Sequence, residues 1–253
     1  MQRASAAAAG PRFDPLAAAY DRYRIGYAPE LYEALEEYGL VAGARVLDVA
    51  AGTGLVSAAL AERGMRVTGL DVSASMLAFA RERAAAATFV SGRAEALPFP
   101  DASFDAAVCA QSFHWFDRAA ALAEAVRVVR PGGIVAVWWK ELMRGDSVRL
   151  VRESVSRRLG IPGVKPILAE QFDEFDVCGL TDQTLRVIPW IVPMRVSDYL
   201  GYERSRARTA DAAGDRLDAY FAALGERLGA PDDVLSLSYL HLLYLGRVTD
   251  GAA

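Results

Sequence analysis

The sequence predicts an α/β fold, a mostly parallel sheet flanked by helices. Three observations predict it. Short apolar runs recur at 45–49, 66–70, 88–91, 104–110 and 134–139, and stretches of helical periodicity separate them, as βαβ crossovers require. The run at 104–110 is apolar on both faces, the mark of a central parallel strand. Glycines and capping residues fall at the joints between the two kinds of segment.

Taken in order, residues 29–39 read as a helix: Pro29 suits the first turn, Leu31, Leu35 and Tyr38 share a face, and Gly39 stops it. Strand 45–49 runs into Ala50-Ala51-Gly52-Thr53-Gly54 and a helix over 55–63, closed by Gly64. Strand 66–70 ends in Asp71, and Ser73 caps a helix to about Ala86. Strands follow at 88–91 and 104–110. Asp117 caps a helix carrying Leu122, Ala125, Val126 and Val129, Arg130-Pro131-Gly132-Gly133 reads as a turn, and 134–139 is a fifth strand stopped by Lys140. Residues 141–174 read as mostly helical. Pro189 and Pro193 make 185–193 an edge or irregular strand. Helices at 196–208 and 212–228 and a strand at 235–245 complete the pattern.

The 253 residues suffice for one large domain with an ample core, and 53% hydrophobic against 24% charged residues is a globular balance. We expect a disordered leader at 1–12 and one domain over 13–253: a lid and helix at 13–40, a core at 41–140, a pocket-shaping segment at 141–235, and a closing strand and tail at 236–253. The alanine-rich start has no long aliphatic stretch and no run spans a bilayer, so the expectation is a cytoplasmic protein with no membrane partner. A formal charge of −4 speaks against a nucleic-acid partner. Two cysteines, Cys109 and Cys178, with His114 and His241 make neither a disulfide framework nor a structural metal site, so no metal is expected. Oligomeric state is not legible.

In an open parallel sheet, ligands bind beyond the carboxyl ends of the strands. At the first end, Gly52 and Gly54 permit a tight turn and close main-chain approach, and the following helix offers free N–H groups. At the second, Asp71 can accept both hydroxyls of a ribose, or it can simply cap a helix. After the fourth, Phe113, Trp115 and Phe116 can wall a pocket around Gln111 and His114, or be ordinary core.

The ordered series VLDVAAGTG (46–54), GLD (69–71), GRAEALPF (92–99), FDAAVCAQSFHWFD (104–117) and RVVRPGGIVAVWW (127–139) resembles the class I S-adenosylmethionine-dependent methyltransferases. It is most similar to their small-molecule branch, which includes trans-aconitate methyltransferase-like proteins, and FDP (13–15) with YDRYRIGY (20–27) resembles that branch's N-terminal element. The resemblance implies a Rossmann-like seven-stranded sheet, mostly parallel, with helices on both faces, an N-terminal helical lid and a helical insertion after the fifth strand. It also implies S-adenosylmethionine as cofactor, S-adenosylhomocysteine as its spent form, and a small-molecule substrate.

Carried over by position, the resemblance implies that Asp48 braces the glycine turn, that Ala50, Gly52, Thr53 and Gly54 meet the methionine end, and that Asp71 holds the ribose. Ser73 and Met76 flank ribose and adenine, and Arg93, Ala94 and Glu95 lie at the adenine. Gln111 stands at the junction of cofactor and acceptor, with His114 and Trp115 behind it, and Tyr20, Arg24 and Tyr27 form the lid. Two departures stand out. Ala50 replaces the family's usual glycine, which is tolerable with a negative φ. Arg93 stands where relatives carry an aspartate, and arginine cannot accept the adenine's hydrogen bond.

Methyl transfer from a sulfonium needs alignment above all, so the absence of a nucleophile motif is consistent with it. His114 is the candidate base if its pKa is unperturbed, with Gln111 beside it, and Arg24 is a candidate partner for an acidic acceptor. An acidic or phenolic acceptor follows. Two other readings remain: a module that binds the cofactor without turnover, and a nicotinamide-dependent dehydrogenase, although GxGxxG spacing is missing because the next glycine after Gly54 is Gly64.

Overall fold

The computed structural model describes residues 14–162 and 179–249. The leader at 1–12, Cys178, and the last part of the helical stretch expected to residue 174 lie outside the described residues.

Seven strands form one sheet in the order β3-β2-β1-β4-β5-β7-β6. β1 (Arg45–Val49), β2 (Arg66–Asp71), β3 (Thr88–Ser91), β4 (Phe104–Ala110) and β5 (Val129–Leu142) run parallel, and β7 (Val234–Val248) is antiparallel to β5 and to β6 (Leu180–Arg195). The strand order reverses between β1 and β4, which opens a crevice at their carboxyl ends.

Period-two alternation sends side chains to two layers. Val46, Val67, Ala106, Val108, Ala136 and Trp138 pack under α2 (Pro29–Glu37) and α3 (Leu55–Glu62). Leu47, Val49, Ala107, Cys109, Val137 and Trp139 pack under α5 (Arg118–Val128). Trp138 and Trp139 are wholly buried on opposite faces, each anchoring its layer with a large apolar surface. α4 (Ala74–Arg83) lies beside β2 and β3, with Ser73 Oγ accepting from Met76 N at 3.1 Å as its cap. A third cluster joins α6 (Ser147–Arg158), α7 (Val196–Arg204) and α9 (Leu217–Leu228) to the far ends of β6 and β7 through Val155, Tyr199, Phe221, Leu224 and Tyr239.

Three boundaries differ from the sequence reading. Residues 130–133 do not end the fifth strand's approach. Phe104 pairs with Val129 and Ala106 with Ile134, so the four residues bulge opposite Asp105. The edge strand spans 16 residues despite Pro189 and Pro193. The two prolines are four apart, so both nitrogens face the same side, and an edge strand has one side without a ladder. The expected helix at 196–208 breaks at Ser205 into α7 and α8 (Ala207–Ala213), and α9 starts only at Leu217.

The N-terminal segment, a turn at Asp14–Leu16 and α1 (Ala17–Tyr23), crosses the carboxyl end of the sheet. Asp14 accepts from Ser73 and Ser75, and Arg83 pairs with Asp21 at 2.5 Å, so α1 is fastened to α4.

Candidate active site

One cavity opens over the carboxyl ends of β1, β2, β4 and β5, enclosing about 1330 Å³ with its mouth included.

At one end, β1 leaves the sheet through Ala50 (φ 59), Gly52 (φ 55) and Gly54 (φ 80). The expected negative φ at Ala50 is therefore corrected: a non-glycine residue holds the left-handed conformation that the turn demands. Its methyl group meets the strain in place of glycine. A Cβ on Gly52 would meet nothing within 4 Å, so its backbone is open to the cavity, whereas on Gly54 it would lie 3.0 Å from Ala80 Cα. Gly54 thus serves helix–helix approach and does not line the cavity.

Asp71 ends β2 with both oxygens anchored, Oδ2 accepting from Gly52 N and Oδ1 from Ser73 N, each at 2.9 Å. Each oxygen keeps a second lone pair for the cavity that Asp71 lines. Burial raises its carboxyl against those backbone bonds. Asp48 lies deeper, wholly buried, with Ser57 Oγ donating to it at 2.6 Å. Burial pushes its carboxyl up to about 7. Met76, Ala94 and Glu95 line the wall beyond Asp71. Glu95 Oε1 accepts from Asp117 N at 3.2 Å, while Oε2 is buried without a hydrogen bond.

Asp48, Thr53, Gly54, Ser73, Arg93 and Tyr27 stand off the cavity wall. Thr53 is buried in the turn. Ser73 is spent on α4 and Asp14. The half-exposed Arg93 lies 3.6 Å from Glu95 instead of over the cavity. Tyr27 packs edge-on to Trp138 and His241.

Gln111 (φ 58) follows β4, its N–H donating to Trp138 O and Nε2 to Lys140 O, both at 2.9 Å. Trp139 Nε1 donates to His114 Nδ1 at 3.4 Å. Burial, with Arg208 and Arg118 nearby, pushes His114 down to about 3. The condition attached to His114 as a base is not met: burial first, then the charges of Arg208 and Arg118, disfavour its protonated form.

The other end of the cavity is basic. Arg24 is sandwiched between the Tyr20 and Tyr202 rings and donates to Ser205 Oγ at 2.9 Å. Arg152 and Arg206 line the same wall, 3.6 and 3.3 Å from the wholly buried Glu203. Thr209 Oγ1 donates to that carboxylate at 2.7 Å. Arg206 and Arg152 hold Glu203 down to about 2 despite burial. Arg208, Lys140, Glu141 and Tyr239 complete the wall, and the buried Tyr239 hydroxyl has no hydrogen-bond partner among the described residues.

Sequence reasoning missed Lys140, Arg152, Arg206, Glu203 and Tyr239. Lys140 was findable by the strand-end rule, since it directly follows an apolar run. The others sit on segments with no motif. Among the described residues no three His, Cys, Asp or Glu side chains converge as a metal site, and no helix is long and apolar enough to cross a membrane.

Comparison with known proteins bears on this geometry. Residues 47–137 match the family profile described as a methyltransferase domain. Residues 47–137 are thus similar to a methyltransferase domain. That domain spans β1 to β5, the strands that build the Asp71 end of the cavity. Proteins of Mycobacterium bovis and Mycobacterium tuberculosis named as uncharacterized methyltransferases are 38% identical over 141 residues, 56% of this chain and 56% of each relative. A malonyl-[acyl-carrier protein] O-methyltransferase of Serratia marcescens is 45% identical over 94 residues, 37% of either chain. The matched region thus spans little more than half the length of the first relatives. A structure from Anaeromyxobacter dehalogenans, provisionally described as a type II methyltransferase, shares the fold at TM-score 0.69 and 24% identity, covering 90% of this chain and 99% of that one. The fold shared with that structure is the Rossmann-like one.

Proposed function

We propose that the chain transfers a methyl group from S-adenosylmethionine to a small molecule bearing an acidic group. The observation that carries this is one continuous cavity with two chemically distinct ends. The β1–β2 end offers an open glycine backbone, a carboxylate with free lone pairs, and Glu95 Oε2, which makes no hydrogen bond and lies 3.6 Å from Arg93 Nε. These fit the donors of an adenosyl group. When bound, the cofactor supplies a methyl group already electrophilic on sulfur.

The chain's own residues then have modest tasks. Asp71 and Gly52 fix one partner, Gln111 stands where the two ends meet, and α1 closes the top and keeps out water. At the basic end Arg24, Arg152, Arg206, Arg208 and Lys140 outnumber Glu141 and Glu203. A carboxylate or phosphate suits that excess and needs no base. A phenol would need one, and His114, pushed down to about 3, is a poor proton acceptor at neutral pH. The small-molecule acceptor, the absence of a nucleic-acid partner and a cytoplasmic setting belong to the same proposal.

The test is release of S-adenosylhomocysteine from S-adenosylmethionine across a panel of small carboxylic acids, phosphates and phenols. Turnover confined to anionic acceptors, with affinity lost at least tenfold in Arg206→Met, is expected. Turnover of phenols alone would overturn the acidic acceptor. Cofactor binding without turnover on any acceptor would favour a module that only holds the cofactor.

A further inference from the structure

We infer that Lys140 is a positioning residue, whose ammonium group pins the segment between α1 and α2 across the cavity and thereby sets Arg24 at the acceptor end. Lys140 is buried on β5, only 7% exposed, and 115 and 114 residues along the chain from the two carbonyls it binds. Its Nζ donates to Ile25 O at 3.0 Å and to Gly26 O at 2.8 Å. Three ring faces surround it, those of Tyr27, Trp190 and Tyr239, with centroids 5.0, 5.4 and 5.3 Å away. Burial and the Arg24 charge pull its amine well below the ordinary value, and two carbonyl acceptors and a cage of negative ring faces compensate, so that its N–H groups hold both carbonyls.

Side chains at the ends of the segment are anchored, Arg24 on Ser205 and Tyr27 on Trp138 and His241, but its backbone between them has few hydrogen bonds. Residues 24–28 are in neither helix nor strand. Ala28 N reaches His241 Nε2 only at 3.5 Å, and Arg24 N closes the last turn of α1 on Tyr20 O. The carbonyls of Ile25 and Gly26 owe their hydrogen bonds to Lys140. Arg24, next in sequence, is thereby presented between Tyr20 and Tyr202. The same residue reaches the other side of the reaction centre, because its carbonyl receives Gln111 Nε2 at 2.9 Å. Lys140 therefore couples two features that come from distant parts of the sequence: the lid residue facing the acceptor, and the amide at the junction.

The acceptor part of this inference rests on the methyl-transfer reading of the cavity, whereas the pinning does not and can be measured without turnover. Hydrogen exchange by mass spectrometry on the full chain reads it directly, in the wild type and in Lys140→Met and Lys140→Arg. In Lys140→Met, amides of 20–28 are expected to exchange at least tenfold faster while those of β1 and β4 keep their rates. In Lys140→Arg, which can again donate to both carbonyls, protection is expected to return. Unchanged exchange at 20–28 in a folded Lys140→Met protein would overturn the inference, because an apolar stem of equal length would then suffice.

Arg24→Met keeps the test alive should Lys140→Met fail to fold. Ile25 to Ala28 should stay protected when Arg24 no longer reaches Ser205, and loss of protection there would assign the pinning to Arg24 and refute Lys140. Calorimetry with S-adenosylhomocysteine on the same proteins separates the two readings. Failure of the wild type to bind it sinks the proposed function and leaves the exchange result standing.

Discussion

Asp48→Asn should make the protein more stable at alkaline pH, and by an amount the structure sets. Asp48 is 1% exposed, and burial lifts its carboxyl from the ordinary 3.8 to about 7, with Ser57's hydrogen bond opposing and Asp71's charge adding. Between those values the folded chain keeps a proton that the unfolded chain has already lost. The stability from this group is complete below 3.8 and disappears as pH rises through about 7. One pKa unit corresponds to about 1.4 kcal/mol, so between pH 5 and pH 8 the folded state should lose about 3 kcal/mol through Asp48 alone. Asparagine keeps the shape and an acceptor for Ser57 Oγ but has no proton to lose. His114 and His241, pushed down to about 3 and about 4, act in the opposite direction below pH 6.5. Both proteins contain them, so their effect cancels in the comparison. Urea unfolding of the two proteins at pH 5 and pH 8 measures the difference. If the two pH dependences run parallel, Asp48 is not the buried, proton-holding acid described here.

Other perturbations have equally definite outcomes. Gly54→Ala, with φ 80 and Ala80 3.0 Å from the new methyl group, should cost more than about 2 kcal/mol in urea unfolding, and Gly52→Ala, with open space around it, should cost less. Glu203→Gln leaves Arg152 and Arg206 facing a neutral amide and should cost about 3–5 kcal/mol at pH 7. Because Glu203 is held down to about 2, that gap should shrink as pH falls from 4.5 toward 2, and a gap independent of pH would refute the ion cluster. In His114→Ala the pH–rate profile between 6 and 9 should keep its shape, and disappearance of a limb would restore His114 as the base.

The strands that carry the Asp71 end were legible because each is a short apolar run with polar or small residues at its carboxyl end: Asp48 to Gly54, Asp71, Ala94–Glu95 and Gln111 were all placed on strand ends from the sequence alone, although Asp48, Thr53 and Gly54 turn out to stand off the cavity. What misled was local chemistry overruled by pairing. Pro131-Gly132-Gly133 has turn composition, yet β4 absorbs it as a bulge. Pro189 and Pro193 pointed correctly to an edge strand and hid only its length of 16 residues. The basic end was not legible because no spacing announces it. Arg24, Arg152 and Arg206 come from three separate segments, and only the packing of α1, α6, α7 and α8 around Glu203 assembles them. Lys140 was within reach of the strand-end rule, but nothing in the sequence shows that the fold buries it among three aromatic rings.

The grip on an adenosyl group by the loop after β1 and the acid closing β2 is tested most directly by isothermal calorimetry of the full chain with S-adenosylhomocysteine, alongside Asp71→Ala and a nicotinamide dinucleotide control. Saturable one-to-one binding by the wild type, abolished by the substitution and absent with the dinucleotide, is the expected result. No heat with S-adenosylhomocysteine, or saturable binding of the dinucleotide in its place, would contradict it.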